Sequence, residues 1–566
     1  MTLQSQLEGA NHKPNFATTQ LYHHSPLPDP TSCVRLIDLL PGNFNDEIQL
    51  LIFQVPLKEY DIRQGTVLSL DELKDTLPLG WVAKKTVEGR YLFKPKNTKR
   101  WQWAHPNPSF DEAQYVIPEF RNSQSALLQP WLEYEALSYT WGSKADTEIK
   151  SSQIRRIGII FKLAYRVIAF VGQEERGTSR ALDSLQCWGE QWEILMPNLR
   201  VRSPDVIIND TIIERWDEQT WADIAQFLKR KWFTRLWIMQ ESHLANGRAI
   251  IQCGQRTILL SVFRRALRCL QIQDWLPSKE LRLQLGYTTK MTYYSSTLPF
   301  RAVLELGRDR VCSDPRDKVY GLLGLVSAPF AADIVPSYIQ KVEDVYRETC
   351  LTYLSRFKRL DLLKSCYQTG RTLDLPSWSP DLQSDIPVDI FNPFQFATGC
   401  SRAHFTYTAP NILEVFGLTC AVLDKVSTPL SKTAVDPLNV IRSWQPEDAA
   451  RSTYMTGESL SIAFAITLRM NRVKERFPKV RYTLDEWLAR CFQTGLLGVD
   501  NEVAFANDDK EIQSFDGRAI DICTGRTFVR TREGYVGLAP CDAQQGDVIV
   551  VLLGCDSPVL LRKQPG

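Results

Sequence analysis

Gln240 and Glu241 close the apolar run Phe233 to Glu241, and polar residues ending an apolar strand of an α/β fold commonly face a ligand crevice. Arg235 offers the competing reading, an ion pair that fixes Glu241 in place. Asp314, Arg316 and Asp317 bring two carboxylates and a guanidinium together in one short stretch. The same residues spell a helix start, with Asp314 as N-cap, Pro315 at the first helical position and Asp317 reaching back to the cap, and that spacing accounts for them without catalysis. Ser242 lies next to His243, but adjacency in sequence does not aim a hydroxyl at an imidazole, and no Gly-x-Ser-x-Gly elbow occurs. Glycine-rich phosphate loops of the Gly-x-Gly-x-x-Gly or Walker type are absent from the sequence. Trp141, Trp232 and Trp237 read as core anchors, since large aromatics at strand ends mostly pack.

Metal and redox chemistry find little support. The 13 cysteines run from Cys33 to Cys555 without a Cys-x-x-Cys pair, the pattern of buried, reduced thiols. Of the 6 histidines only His23 and His24 are close, in a polar N-terminal stretch, so no metal is expected. Lysine plus arginine number 67 against 65 acidic residues, a balance that gives no long-range field for nucleic acid or an anionic membrane. The run Lys94 to Arg100 reads as a solvated loop. The first residues lack the basic and apolar regions of a secretory leader. Arg155, Arg156, Lys162 and Arg166 interrupt the apolar stretch Ile154 to Gly172, and Val548 to Gly554 is too short for a bilayer, so no membrane segment is expected.

The elements that would position these side chains follow from periodicity. Tyr134 to Trp141 reads as a buried strand stopping at Gly142. Asp146 as N-cap, Glu148 in the first turn, and Ile154, Ile157, Phe161 and Ala164 on one stripe predict an amphipathic helix. Arg166 to Val171 follows as a strand ending at Gly172, and strand, helix, strand in this order predicts a parallel sheet. Thr220 and Asp223 have capping-box spacing ahead of a helix with Trp221, Ile224, Ala225, Leu228 and Trp232 on one face. A strand is expected at Ala249 to Cys253 and a helix from Val262 to Ile272. The helix opened at Asp314 would run to Gly324, and Val342, Val345, Tyr346, Thr349 and Tyr353 line another.

Outside this block, residues 1–30 read as a disordered lead-in, and 31–133 as two strands, Arg35 to Leu39 and Gln49 to Val55, followed by an irregular insertion from Lys58 to Pro130. Residues 134–275 form the α/β domain and 276–380 a helical extension. Residues 381–566 read as a small antiparallel β module built on Ile412 to Phe416, Thr527 to Thr531, Tyr535 to Leu538 and Val548 to Leu553. Helices are inserted in it from about Ala449 to Phe492.

Taken together these segments resemble a known family. Tyr134, Ala136, Leu137, Ser138, Tyr139, Trp141 and Gly142 are similar to the opening signature of the fungal heterokaryon incompatibility (HET) domain. Ser151 to Gly172, with Gln153 leading the helix and Gly172 ending the strand, resembles its second signature. Trp232, Arg235, Trp237, Gln240 and Glu241 resemble its closing one. The motif Asp314 to Tyr320, then LPSWSPD at Leu375 to Asp381, and finally GYVGLAP and GDVIVVLLG resemble parts that accompany HET domains in long fungal proteins. The resemblance covers most of the chain from Tyr134 onward and weakly Tyr22 to Leu57.

The resemblance implies a parallel-sheet HET domain, distantly similar to TIR and flavodoxin-like folds, followed by helical segments and the small antiparallel module. It implies a cytoplasmic protein of non-self recognition and programmed cell death signalling in fungi, working through a protein partner or self-association, without cofactor, nucleic acid or membrane. Some TIR domains cleave NAD through a glutamate. Were the likeness to extend so far, Glu148 would be the carboxylate, steadying an oxocarbenium-like state, with Tyr139 and Trp141 bordering the pocket. The plainer reading has Glu148 complement a helix N-terminus.

One departure from the family stands out. Between the Trp-Gly signature and the Gln-led helix the family carries a further helix and a buried strand, whereas here Asp146 follows Gly142 after 3 residues. A helix plus strand takes on the order of 30 residues. Loss of a central parallel strand is expected to uncover two sheet edges and the flanking helix faces. An inactive truncated paralogue and a wrong exon junction would both give this sequence.

Overall fold

The two apolar runs flanking PGNFND pair as an antiparallel hairpin in a computed structural model of the chain. The structure describes residues 27–29, 32–41, 49–57, 67–117, 134–138, 147–195, 199–206, 216–271, 277–292, 298–384, 397–449, 451–476, 482–497 and 517–564. Strands β1 (Cys33–Leu39) and β2 (Leu50–Pro56) belong to a first compact unit, 1–61, and everything else to a second, 62–566. The lead-in 1–26, residues 42–46 of the PGNFND turn, Tyr139, Trp141, Gly142 and Asp146 lie outside the described residues.

The expected irregular insertion is, over 67–117, an ordered small module. Ser69 and Glu72 form a capping box for α1 (Leu70–Asp75), and β3 (Trp81–Lys85) pairs with β4 (Tyr91–Pro95) around a turn in which Gly89 takes φ 91°. Leu73, Ala83, Tyr91, Phe93 and Tyr115 give it a core of its own. Charged residues obscure this in the sequence: Lys84 and Lys85 are both exposed, while β4 buries Tyr91, Leu92 and Phe93 in succession and so shows no alternation.

The central block runs β5 (Glu135–Ser138), α2 (Thr147–Leu163), β6 (Arg166–Phe170), α3 (Thr178–Glu190), then the hairpin β7 (Trp192–Leu195) and β8 (Leu199–Arg202). It continues through α4 (Glu218–Leu228), α5 (Ile238–His243), β9 (Ile250–Cys253), β10 (Arg256–Leu259) and α6 (Leu260–Gln271). The helices α7 (Lys279–Thr289), α8 (Phe300–Gly307), α9 (Asp317–Tyr320), α10 (Ala328–Ala332) and α11 (Val342–Phe357) complete it. One sheet has the order β10-β9-β6-β5; β5 and β6 are parallel, with Ala136 opposite Val167, as are β6 and β9, while β10 returns antiparallel to β9. The stripe on α2 faces inward as its spacing requires: Ile154, Phe161 and the following Ala164 are buried in one apolar core with Val167, Ile224, Trp232, Phe233 and Met239. Each large side chain so buried stabilises the fold by about 1.5–3 kcal/mol.

Three local expectations need correction. Asp217, not Thr220, caps α4, accepting the Thr220 amide at 2.7 Å, so the helix starts earlier than the capping-box spacing suggested. The run Phe233 to Glu241 is no strand. A 3-10 turn over Lys231–Thr234 leads into α5, whose residues Ile238 to Ser242 are all buried; a segment covered on every side shows no helical period. The helix at Asp314 is a single turn, α9, rather than a run to Gly324. The two unpaired edges expected around the missing segment are not found at β6, because β5 lies directly against it and β9 flanks its other side.

Beyond residue 400, β11 (Phe405–Thr408) and β12 (Ile412–Val415) form a hairpin. A five-stranded antiparallel sheet, ordered β15-β14-β13-β16-β17, follows from β13 (Gly417–Val426), β14 (Arg526–Thr531), β15 (Val536–Pro540), β16 (Val548–Leu552) and β17 (Val559–Leu561). Its central strand β13 escapes the sequence pattern because Gly417 to Cys420 are exposed and the strand is bulged between Thr419 and Ala421. The inserted helices α12 (Pro437–Ser443), α13 (Leu460–Leu468), α14 (Leu484–Gln493) and α15 (Gly517–Cys523) enclose a second core around Trp444, Phe464, Trp487 and Phe528.

Candidate functional site

Ser138 ends β5, and the chain's next described helix begins at Thr147, so Ser138 stands at the carboxyl end of a parallel strand. There the structure joins two of the distant motifs. Trp232 Nε1 donates to Ser138 Oγ at 2.7 Å, and Ser138 Oγ in turn donates to Glu241 Oε2 in a short hydrogen bond. Arg235 Nη2 donates to the other carboxylate oxygen at 3.3 Å. Glu241 is 3% exposed. Burial pushes its carboxyl upward, and the Arg235 guanidinium and the Ser138 hydroxyl pull it back only in part. Both oxygens are engaged, so the carboxylate is held as a structural tie and not presented as a free base. Arg235 keeps one buried nitrogen, Nη1, without a hydrogen-bond partner.

The downstream motif packs on the same helical segment. Trp237 Nε1 donates to Asp317 Oδ2 at 3.3 Å, and the Tyr338 hydroxyl donates to Asp317 Oδ1. Asp317 therefore does not reach back to a cap. It is a buried acceptor for two remote donors, and the capping account of this residue was mistaken. Asp314 does turn the chain, accepting the Arg316 amide at 3.0 Å and a two-pronged ion pair from the Arg316 guanidinium at 2.9 Å on each oxygen. Arg316 also donates to the Gln340 carbonyl at 2.8 Å, pinning the Tyr338 turn. Backbone bonds between Thr234 or Leu236 and Val311 bring the two motifs edge to edge.

Gln240 is buried between Gly158 on α2 and Gly324, where an added Cβ would stand 3.2 Å and 2.4 Å from its Oε1; its Nε2 donates to the Tyr320 carbonyl at 3.3 Å. It faces packing, not a crevice. Ser242 and His243 do not form a nucleophile pair. His243 Nδ1 lies 2.7 Å from the Met239 carbonyl and must donate to it, so that nitrogen cannot accept the Ser242 proton. Burial depresses the His243 imidazole to about 3, aided by the nearby Arg264 guanidinium. Tyr134 donates to the Ile160 carbonyl at 2.5 Å, Ala136 is buried, Leu137 is exposed, and Gly172 takes φ 115° at the end of β6. The side chains of Glu148 and Gln153, like Tyr139, Trp141 and Gly142, lie outside the described residues.

Several buried charges had no sequence signal. Lys318 Nζ donates to the carbonyls of Gly307, Arg308 and Arg310, closing the end of α8, and Arg310 donates to the carbonyls of Phe233 and Tyr287. Arg371 gathers the carbonyls of Leu375, Pro376 and Ser379, while Asp381 accepts the Thr372 amide at 2.7 Å, so LPSWSPD is a loop fastened from within. Glu193 on β7, buried 3.6 Å from Arg265, is another such charge.

None of the 13 cysteines is joined in a disulfide. Among the described residues no group of three or more His, Cys, Asp or Glu side chains could hold a metal, and no helix is long and apolar enough to cross a membrane.

Comparison with known proteins adds two findings. A family model described as heterokaryon incompatibility protein (HET) matches residues 143–241. The chain is also 22% identical, over an alignment of 661 residues covering 96% of it and 92% of the relative, to heterokaryon incompatibility protein 6, OR allele, of Neurospora crassa. No solved structure matches.

Proposed function

We propose, from the match of a HET family model to residues 143–241, that the chain serves heterokaryon incompatibility as a cytoplasmic non-self recognition module that sets off programmed cell death through a protein partner or through self-association. The observation that carries this reading is the family match at 143–241, ending on Glu241, the residue tied to Ser138 and Arg235. Similarity over nearly the whole chain to a relative named for heterokaryon incompatibility supports it further. With both Glu241 oxygens engaged, the motif residues act by fixing the shape of the α/β unit, and a shape is what a partner reads. We further propose that the parallel part of the sheet is TIR-like.

A second reading, cleavage of NAD through Glu148, is favoured by one placement. The helix bearing Glu148 starts beyond the carboxyl end of β5, the side on which parallel α/β sheets bind ligands. Induced expression of the full chain in a filamentous fungus, with viable counts and cellular NAD followed together, separates the two. Death with NAD unchanged, and retained in Glu148→Ala, is the outcome of the first reading. NAD loss abolished by Glu148→Ala belongs to the second, and full viability at high expression contradicts both.

A further inference from the structure

The module over 67–117 is fastened to the central block by a small interface with a charged centre. Thr86 bridges to Leu195, the Val87 amide donates to the Ile194 carbonyl at 2.8 Å, and Leu92 and Trp101 pack on Leu195. At the rim, Trp103 Nε1 donates to Asp205 at 2.9 Å and the Arg90 guanidinium stacks 3.4 Å from the Trp103 ring centre. Within it lie three charged side chains, each less than a tenth exposed: Glu88 from the β3–β4 turn, Glu193 from β7 and Arg265 from α6. Arg265 Nη1 is 3.4 Å from Glu88 Oε1 and 3.6 Å from Glu193 Oε2, while its Nε is committed to the Gly189 carbonyl at 3.1 Å. Glu193 Oε1 accepts from Ser203 at 3.3 Å, and Oε2 accepts no hydrogen bond.

We propose that this interface is a proton-linked latch: Glu88 and Glu193 crowd together against Arg265 Nη1, so docking of the module takes up a proton on Glu193 and the module loosens as the pH rises. Two buried carboxylates converge on one nitrogen, and undocking would return Glu193 to water, where its charged form is no longer penalised by burial. The groups facing Glu193 are Arg265 from α6, Glu88 and Arg90 from the β3–β4 hairpin, and the Ser203 hydroxyl beyond β8, with Asp205 facing Arg90. Burial raises the Glu193 carboxyl to about 7, with Arg265 opposing and Glu88 adding to the rise. An acid raised on docking favours the docked state while protonated. Docking is therefore strongest below the ordinary carboxyl value of 4.5 and weakens as the pH climbs to about 7.

Hydrogen exchange of the full chain tests this at the Val87 amide, which bonds across the interface. Protection there, corrected for the intrinsic pH dependence of exchange and referred to amides of β14 in the same chain, is expected to fall about tenfold from about pH 6 to about pH 8. Glu193→Gln, which mimics the protonated acid, is expected to flatten the profile. Glu88→Gln, which removes the competing carboxylate, is expected to move the midpoint to lower pH. A flat wild-type profile, or an undiminished fall in Glu193→Gln, overturns the proposal. Should Glu193→Gln not fold, the wild-type and Glu88→Gln profiles decide alone.

Discussion

Replacing Arg235 with methionine keeps an unbranched stem in place and removes the guanidinium that faces Glu241. The pair is well shielded, with side chains 12% and 4% exposed, so the stranded carboxylate cannot recruit water freely. Removing one partner of a buried pair costs about 3–5 kcal/mol. Ser138 still donates to the other oxygen, which sets the expectation toward the lower end of that range. The loss must also depend on pH. Burial already raises the Glu241 carboxyl, and without Arg235 it rises further, so the variant gains by protonating it. Its penalty is therefore smaller at about pH 5 than at about pH 8. Urea unfolding followed by tryptophan fluorescence, for which Trp232 is a reporter inside the network, measures both effects. Adding Glu241→Gln to Arg235→Met is expected to recover about 0.5–3 kcal/mol, because no charge is then left buried. A penalty under about 1 kcal/mol, or a double variant no more stable than the single, would refute the view that this pair holds the motifs together.

Other substitutions probe the same frame. Gly189→Ala would set a Cβ 2.1 Å from the Val262 carbonyl oxygen, and since that neighbour is backbone the overpacking should cost at least about 1–3 kcal/mol in the same unfolding assay. Trp232→Phe removes the indole donor to Ser138 while filling most of the volume, with an expected loss of about 1–3 kcal/mol; a neutral result would argue that the hydrogen bond is idle. His243, neutral when folded, ionises at its ordinary 6.5 once unfolded, so it withdraws stability as the pH falls from 6.5 toward about 3. His243→Gln should accordingly be less sensitive than the wild type to acid across that window, read as the pH dependence of its melting temperature.

What could be read in advance divides along physical lines. The α2 stripe was legible because Ile154 and Phe161, two turns apart, are buried while Lys162 beside them is exposed, and the strands β5 and β6 because they flank that helix as short apolar runs. The stretch Phe233 to Glu241 was misread because burial on all sides erases that period, leaving length and composition, which a strand and a short helix share. The tie between Ser138 and Glu241 is invisible along the chain, since it spans 103 residues and only the sheet brings its ends together. Asp317 misled for the same reason: its local spacing fits a cap, but Trp237 and Tyr338, brought in by the fold, claim both of its oxygens. The module over 67–117 was hidden because Lys84 and Lys85 are exposed on β3 while Tyr91, Leu92 and Phe93 are buried in succession on β4, so neither strand shows a period of two.

The central claim is that this chain acts in heterokaryon incompatibility through the α/β unit built on the Glu241 tie. Fusing fungal cells that express the full chain with otherwise isogenic cells that lack it, and counting survivors, tests it most directly. Fewer surviving fusion cells than in self pairings, restored to the self value by Arg235→Met, is the predicted result. Equal survival in the two pairings, at verified expression of the chain, would contradict it.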